Sequence, residues 1–495
     1  MPSFDYHALA PELVLATTVL VVLGLDLVLP PGRKFLAAAA GVLGLTLTAV
    51  PLITLALSGT ERVLFGESYV VDEFALVFKA LFVVSGYVVL LMSVAYVEED
   101  RYYQGEYYFL LLSSVLGAVV MASSRDFITL FIGLELVSGP AFLLAGWRKG
   151  DLRSNEAALK FFLIGVLSTA ILLYGMSLAY GLTGEVTFSG VRAASAGLAQ
   201  EPAFVLAVLF VLAGLGFKIS AVPFHFWTPD TYQGSPVPVT AYLSVGSKAA
   251  GFVGLLLVTY LAFGEVAALW APAIWVLAAL SMTVGNLVAL WQRDIIRLLA
   301  YSSVAQAGFM LVPFAGAASL DSGDLGEAFT ATVTYLLIFA FMNLGAFGTV
   351  IAAIRKTGSQ EIDRMAGLFS YAPGLAALMA VFFFALAGIP PLAGWFAKFV
   401  VFRAVLLGTS GWGVALAVIA AVNAVIALYY YARVVKVAWM DPVPDTAPGR
   451  EVRERPLAPA MTVALAITAL VTLVVGFYPQ ALAFFGTASQ ALASP

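Results

Sequence analysis

Cysteine is absent from this chain. That excludes disulfides, iron–sulfur clusters and thiolate metal sites within it. Histidine is nearly absent: His7 and His225 are too few for a histidine-ligated haem pair. Charge is scarce too. Asp, Glu, Lys and Arg make up 11% of the 495 residues, where soluble domains carry about 25%. No basic tract suggests nucleic acid, and no glycine-rich loop suggests a nucleotide. Apolar residues take their place, at 62% of the sequence and a mean hydropathy of +0.98. A water-soluble globule is excluded. The composition implies an all-α polytopic membrane protein, because a helix satisfies its own backbone in lipid.

A spanning helix needs about 20 apolar residues. Fourteen candidate spans follow, near 8–29, 35–57, 74–96, 107–122, 127–147, 157–181, 203–226, 238–263, 267–291, 298–316, 326–354, 374–405, 412–439 and 458–484. The first apolar run is long and lacks a basic start and a cleavage site, so it is expected to be retained as a span. Basic residues set the topology. Odd-numbered connections carry sixteen Lys and Arg, Arg101 among them; even ones carry only Arg62, Arg125 and Arg192. The odd connections are therefore expected in the cytoplasm and both termini outside. The segment 441–457, rich in proline and charge, is expected as a surface loop.

Two spans are expected to break. Pro223 and Pro229 interrupt the seventh; Pro390 and Pro391 interrupt the twelfth. Each proline removes a backbone donor and clashes with the preceding turn. Paired interrupted helices in corresponding halves point to inverted repeats around a central ion site. Spans four to eight and nine to thirteen would be the two five-helix units. The division is 1–106 for the first three helices, 107–265 and 266–440 for the units, and 441–495 for the last loop and helix.

Lys218, Lys248 and Lys398 lie inside apolar stretches. A lysine at bilayer depth costs about 3 kcal/mol, so such residues mark functional sites by default. Glu135 is the carboxylate expected to pair with Lys218 in one state and release it in another. A lysine whose partner comes and goes changes its proton affinity. Lys248, with Ser244 and Ser247 nearby, would relay protons towards Lys398. His225, in the first break, is a weaker path candidate. The bland alternative for each lysine is a static ion pair or an interfacial position. Asp230 is expected to cap a helix. Lys160 is expected to pair with Glu156 one turn away. Lys79 and Arg403 are expected to snorkel to the interface. The tyrosine clusters at 102–109 and 427–435 fit interfacial belts.

Four segments resemble a known family: GLELVSGPAFLLAG, FKISAVPFHFWTPDTYQGSPVPVTAYLSVGSK, RDIIRLLAYSSVAQAGFML and GIPPLAGWFAKF. They are similar to the antiporter-like subunits of respiratory complex I, over about residues 70–440. The resemblance implies fourteen helices with two inverted five-helix units, and a proton-translocating role coupled to NADH oxidation and quinone reduction elsewhere. It places the family's charge-coupling glutamate on Glu135 and its lysines on Lys218, Lys248 and Lys398. Lysine at the last position, where the M-type carries glutamate, favours the N- or L-type. A chain ending soon after the fourteenth span, with no lateral helix, favours the N-type. No cofactor is implied in this chain. NADH, FMN, iron–sulfur clusters and quinone are implied in partner subunits. The implied partners are the M-type and small K/J/A-type membrane subunits and lipids, in a bacterial cell membrane. Multi-subunit sodium/proton antiporters share the core and are the near alternative; a structural subunit with inert ion pairs is another.

Overall fold

A computed structural model describes residues 5–99, 105–320, 322–407, 411–445 and 447–488. Six helices open the chain: α1 (Ala10–Val28), α2 (Phe35–Ser58), α3 (Glu73–Glu99), α4 (Glu106–Ser123), α5 (Phe127–Ala145) and α6 (Leu152–Thr183). The middle holds α7 (Phe188–Ser195), α8 (Pro202–Lys218), α9 (Trp227–Gly234), α10 (Val237–Tyr242), α11 (Lys248–Leu256), α12 (Ala267–Ala289), α13 (Ile295–Leu311) and α14 (Ser322–Thr357). The chain closes with α15 (Leu368–Tyr371), α16 (Pro373–Ala387), α17 (Gly394–Leu406), α18 (Gly411–Met440), α19 (Arg450–Glu454), α20 (Pro459–Phe477) and α21 (Gln480–Ala488). Among the described residues, twelve helical segments are long and apolar enough to cross a membrane. The run from α10 through α11 to Ala262 counts as one of these.

The two expected breaks are real and sharper than the prolines alone suggest. α8 stops at Lys218, before Pro223 is reached, and helix resumes at Trp227. Pro229 breaks nothing: it is in the first turn of α9, where a missing N–H costs no hydrogen bond. α16 stops at Ala387 and α17 starts at Gly394, so Pro390 and Pro391 lie in the gap. α8 and α16 are thus shorter apolar helices rather than full spans. Backbone conformation marks both gaps: Ser220 has φ +61° and Gly388 has φ +90°. A third irregularity was not expected. Leu243–Ser247 and Leu257–Ala262 are π-helical turns on either side of α11, and such turns gather at functional sites.

Connections join by parity. A hairpin of β1 (Arg62–Leu64) and β2 (Tyr69–Val71) fills the connection after α2. Backbone bridges tie Tyr69 to Ser124, and Asp126 to Thr187. Three even connections therefore share one face. Asp294 bridges Glu361, joining two odd ones. Arg101 lies outside the described residues.

The core sits in α10–α11, α13 and α14, whose most apolar windows are about nine-tenths buried. α6 and α18 are mostly exposed at the periphery. Small residues let helices close without a hydrophobic drive between them. A Cβ at Gly117 would meet the α5 backbone, with Val137 N at 2.7 Å. A Cβ at Gly285 would meet the α13 backbone, with Ala305 N at 2.7 Å. The tyrosine clusters are not interfacial belts. Tyr107, Tyr108, Tyr430 and Tyr431 are buried, and only Tyr429 of the second set is well exposed. Tyr102 and Tyr103 lie outside the described residues.

Candidate functional site

Lys79 corrects the first expectation. It is fully buried, not snorkelling. Its Nζ lies 2.7 Å from Glu12 Oε1, and Tyr69 donates to the same oxygen at 2.7 Å. The pair staples α1 to α3. Sequence spacing cannot show such a partner 67 positions away.

The three singled-out lysines differ from Lys79. All are buried, and among the described residues none lies within ion-pair distance of a carboxylate. Lys218, the last residue of α8, donates to Ser138 Oγ at 2.8 Å. Lys248 donates to the Ser303 carbonyl at 2.8 Å, not to Ser244 or Ser247. Ser244 is instead held by Asn343 of α14. Lys398 donates to the Ala387 carbonyl at 2.6 Å and sits over the Phe309 ring at 5.1 Å. The breaks explain two of these placements. The end of a helix leaves carbonyls unpaired and carries partial negative charge, so it stabilises a cation. Lys218 sits at the end of α8, and Lys398 reaches back to the end of α16.

Glu135 does not touch Lys218 here. It accepts from Thr169 Oγ1 of α6 at 3.0 Å and is partly exposed. The Lys218 ammonium sits against Ser138 instead, one turn along α5. Lys218 in turn packs on α11: a Cβ at Gly251 would fall 2.9 Å from Lys218 Cγ, and Gly251 is three residues from Lys248.

Between Lys248 and Lys398 lies a polar file that sequence reasoning missed. Ser302, next to Ser303, shares a hydrogen bond with Tyr431. Gln306 donates to Tyr431 at 3.3 Å and to the Leu386 carbonyl at 3.1 Å, and accepts from Tyr335. Leu386 adjoins Ala387, the acceptor of Lys398. Ser302, Ser303 and Gln306 recur at helical spacing within YSSVAQ; that period was the available signal.

The remaining candidates fall elsewhere. His225 is buried in the first gap against Phe226, and no hydrogen bond joins it to the lysines among the described residues. Asp230 is not a cap. It pairs with Lys160 at 2.6 Å and Arg297 at 2.8 Å, linking α9 to α6 and α13. Lys160 keeps its expected pair with Glu156 at 2.7 Å. Arg403 is exposed as expected but pairs with Glu327 at 2.6 Å. No cluster of metal-ligating residues occurs among the described residues.

Comparison with known proteins supplies the context. The family model described as "NADH:quinone oxidoreductase/Mrp antiporter, TM" matches residues 124–424. A NADH-quinone oxidoreductase subunit N from Desulforamulus reducens is 40% identical, covering 97% of each chain. A chain of respiratory complex I from Thermus thermophilus superposes with TM-score 0.77 at 32% identity, covering 96% of this chain and 98% of that one. A chain of the Mrp complex from Dietzia shares the fold alone: TM-score 0.83, 21% identity, 99% and 98% covered. With the lysine-bearing helices inside the matched segment and subunit N relatives aligned end to end, this protein belongs to the NADH:quinone oxidoreductase/Mrp antiporter family of membrane subunits, among its subunit N members.

Proposed function

We propose that this chain is a membrane-arm subunit of a proton-translocating NADH:quinone oxidoreductase and that protons cross it through Glu135, Lys218, Lys248 and Lys398. One observation carries this reading. Three lysines buried within the apolar stretches are held by neutral acceptors, while Lys79, buried in α3, is neutralised by Glu12; Lys356, in the last turn of α14, is bound to the Arg453 and Arg455 carbonyls of a loop and lies outside the row. Inert staples would resemble Lys79. A lysine held by a hydroxyl or carbonyl can change its protonation without leaving a carboxylate stranded. Moving one charge across 100 mV costs about 2.3 kcal/mol, a scale that making and breaking a Glu135–Lys218 contact can meet.

In this reading the chain forms fourteen spans, with the two broken helices completing the twelve continuous ones. Residues 107–265 and 266–440 form inverted five-helix units after the N-terminal 1–106, with 441–495 closing the chain. Support comes from matched details: Asp126 and Asp294 each cap a helix, each bridge a distant connection, and do so on connections of opposite parity. Both termini face the outside of a bacterial cell membrane. Neighbouring membrane subunits of the M and K/J/A types flank the chain. NADH, FMN, iron–sulfur and quinone chemistry belongs to partners, which makes this a non-redox part of a translocating enzyme.

The test replaces Lys218 by Ala, and separately Glu135 by Gln, in the assembled complex in liposomes. Normal NADH-driven quinone reduction and pumping with either variant would falsify the relay. Assembly failure alone would favour a structural subunit. Proton exchange by the isolated chain in liposomes would favour a self-sufficient antiporter.

A further inference from the structure

A groove of about 1140 Å³ opens among α2, α3, α14 and α21, and its lining includes no residue of the lysine row. Its rim carries Glu61, Glu67, Asp72, Glu73, Arg125 and Arg192. Its walls are apolar, formed by residues such as Ile53, Leu76, Ala80, Val84 and Phe341. From Glu73 at the rim to Val84 the helix rises about 16 Å at 1.5 Å per residue. That is about half of a ~30 Å hydrocarbon core. The groove therefore has the depth of one leaflet, with charge at headgroup level and hydrocarbon below.

The rim charges select the headgroup. Arg125 is already paired with Asp72, and Arg192 with Glu265. Glu61, Glu67 and Glu73 are exposed and have no cationic partner among the described residues. The open charge is negative. It repels an anionic lipid and attracts an ammonium; Arg192 holds Glu265 through Nε and Nη2, which leaves its Nη1, without a partner among the described residues, to face a phosphate. A neutral amphiphile such as a quinone would leave the carboxylates unpaired. We propose that this groove holds one zwitterionic, amine-headed phospholipid: its ammonium lies among Glu61, Glu67 and Glu73, its phosphate faces Arg192, and its acyl chains run between α2, α3 and α14.

The intact complex is exchanged into micelles containing equal amounts of phosphatidylethanolamine, phosphatidylglycerol and cardiolipin, each with photoactivatable acyl chains. The expected result is phosphatidylethanolamine cross-linked to peptides of α2 and α3. Ala80→Trp, a bulky change at an exposed groove position, abolishes the adduct. Glu73→Lys lowers the phosphatidylethanolamine yield about fivefold and raises that of phosphatidylglycerol. Equal or greater labelling by the anionic lipids overturns the proposal. So does an unchanged adduct in Ala80→Trp, or phosphatidylethanolamine labelling confined to other subunits with none on α2 and α3. If Ala80→Trp fails to assemble, the headgroup switch in Glu73→Lys decides.

Discussion

Two lysines in the same hydrophobic interior behave as opposites. Lys79 sits beside Glu12, and removing the ammonium strands a buried carboxylate. Breaking one partner of such a pair costs about 3–5 kcal/mol. Among the described residues Lys248 bonds a carbonyl and no carboxylate, so its removal strands no charge. Lys79→Met is therefore expected to lower the thermal stability of the complex sharply. Lys248→Met is expected to change stability by less than about 1.5 kcal/mol while abolishing proton pumping. Melting curves and pumping assays on both variants separate the roles; the reverse pattern would sink the assignment. Of these residues the sequence shows the burial of Lys248 but not that of Lys79, which it places at the interface. It does not show their partners, because Glu12 and Ser303 are 67 and 55 positions away.

Helix ends and helix contacts decide where the lysines point. Gly388 has φ +90°, and a Cβ there would fall 2.8 Å from Lys398 Cδ. Gly388→Ala combines a left-handed penalty of about 1–2 kcal/mol with displacement of Lys398. It is expected to slow pumping more than it impairs assembly, measured as the ratio of pumping to complex yield. Gln306 is the second test at this scale. Gln306→Leu keeps volume but cuts the file between α13 and α16 and leaves the Tyr335 hydroxyl unpaired. Pumping is expected to fall while quinone reduction uncouples from it; an unaltered proton-to-electron ratio would show that protons bypass Gln306. The prolines announced both breaks. They did not announce that α8 ends at Lys218 itself, where the turn that follows is held by Ser281 Oγ accepting from the Val222 amide and by Trp227 donating to the Phe217 carbonyl.

At the scale of the molecule, Asp230 joins parts distant in sequence. It pairs with Lys160 of α6 and Arg297 of α13 from the far side of the first break. All three side chains are partly exposed, so each pair is worth about 1 kcal/mol or less. Asp230→Asn is expected to shift the melting temperature modestly. A double-mutant cycle with Arg297→Ala is expected to show coupling of about 0.5–1 kcal/mol. Coupling near zero would mean the two helices are held by packing alone.

The sequence by itself determined the membrane setting, nearly every span, the two breaks and the residues worth watching. It did so because hydropathy, proline chemistry and the cost of buried charge act locally. The tertiary structure decided which lysine is a staple and which stand free of carboxylates. It also brought Ser138 to Lys218, placed Tyr431 and Gln306 in one file, and cut a leaflet-deep groove beside the hairpin. These depend on contacts between distant helices, where sub-ångström fit and small-residue packing set partners that no local pattern encodes.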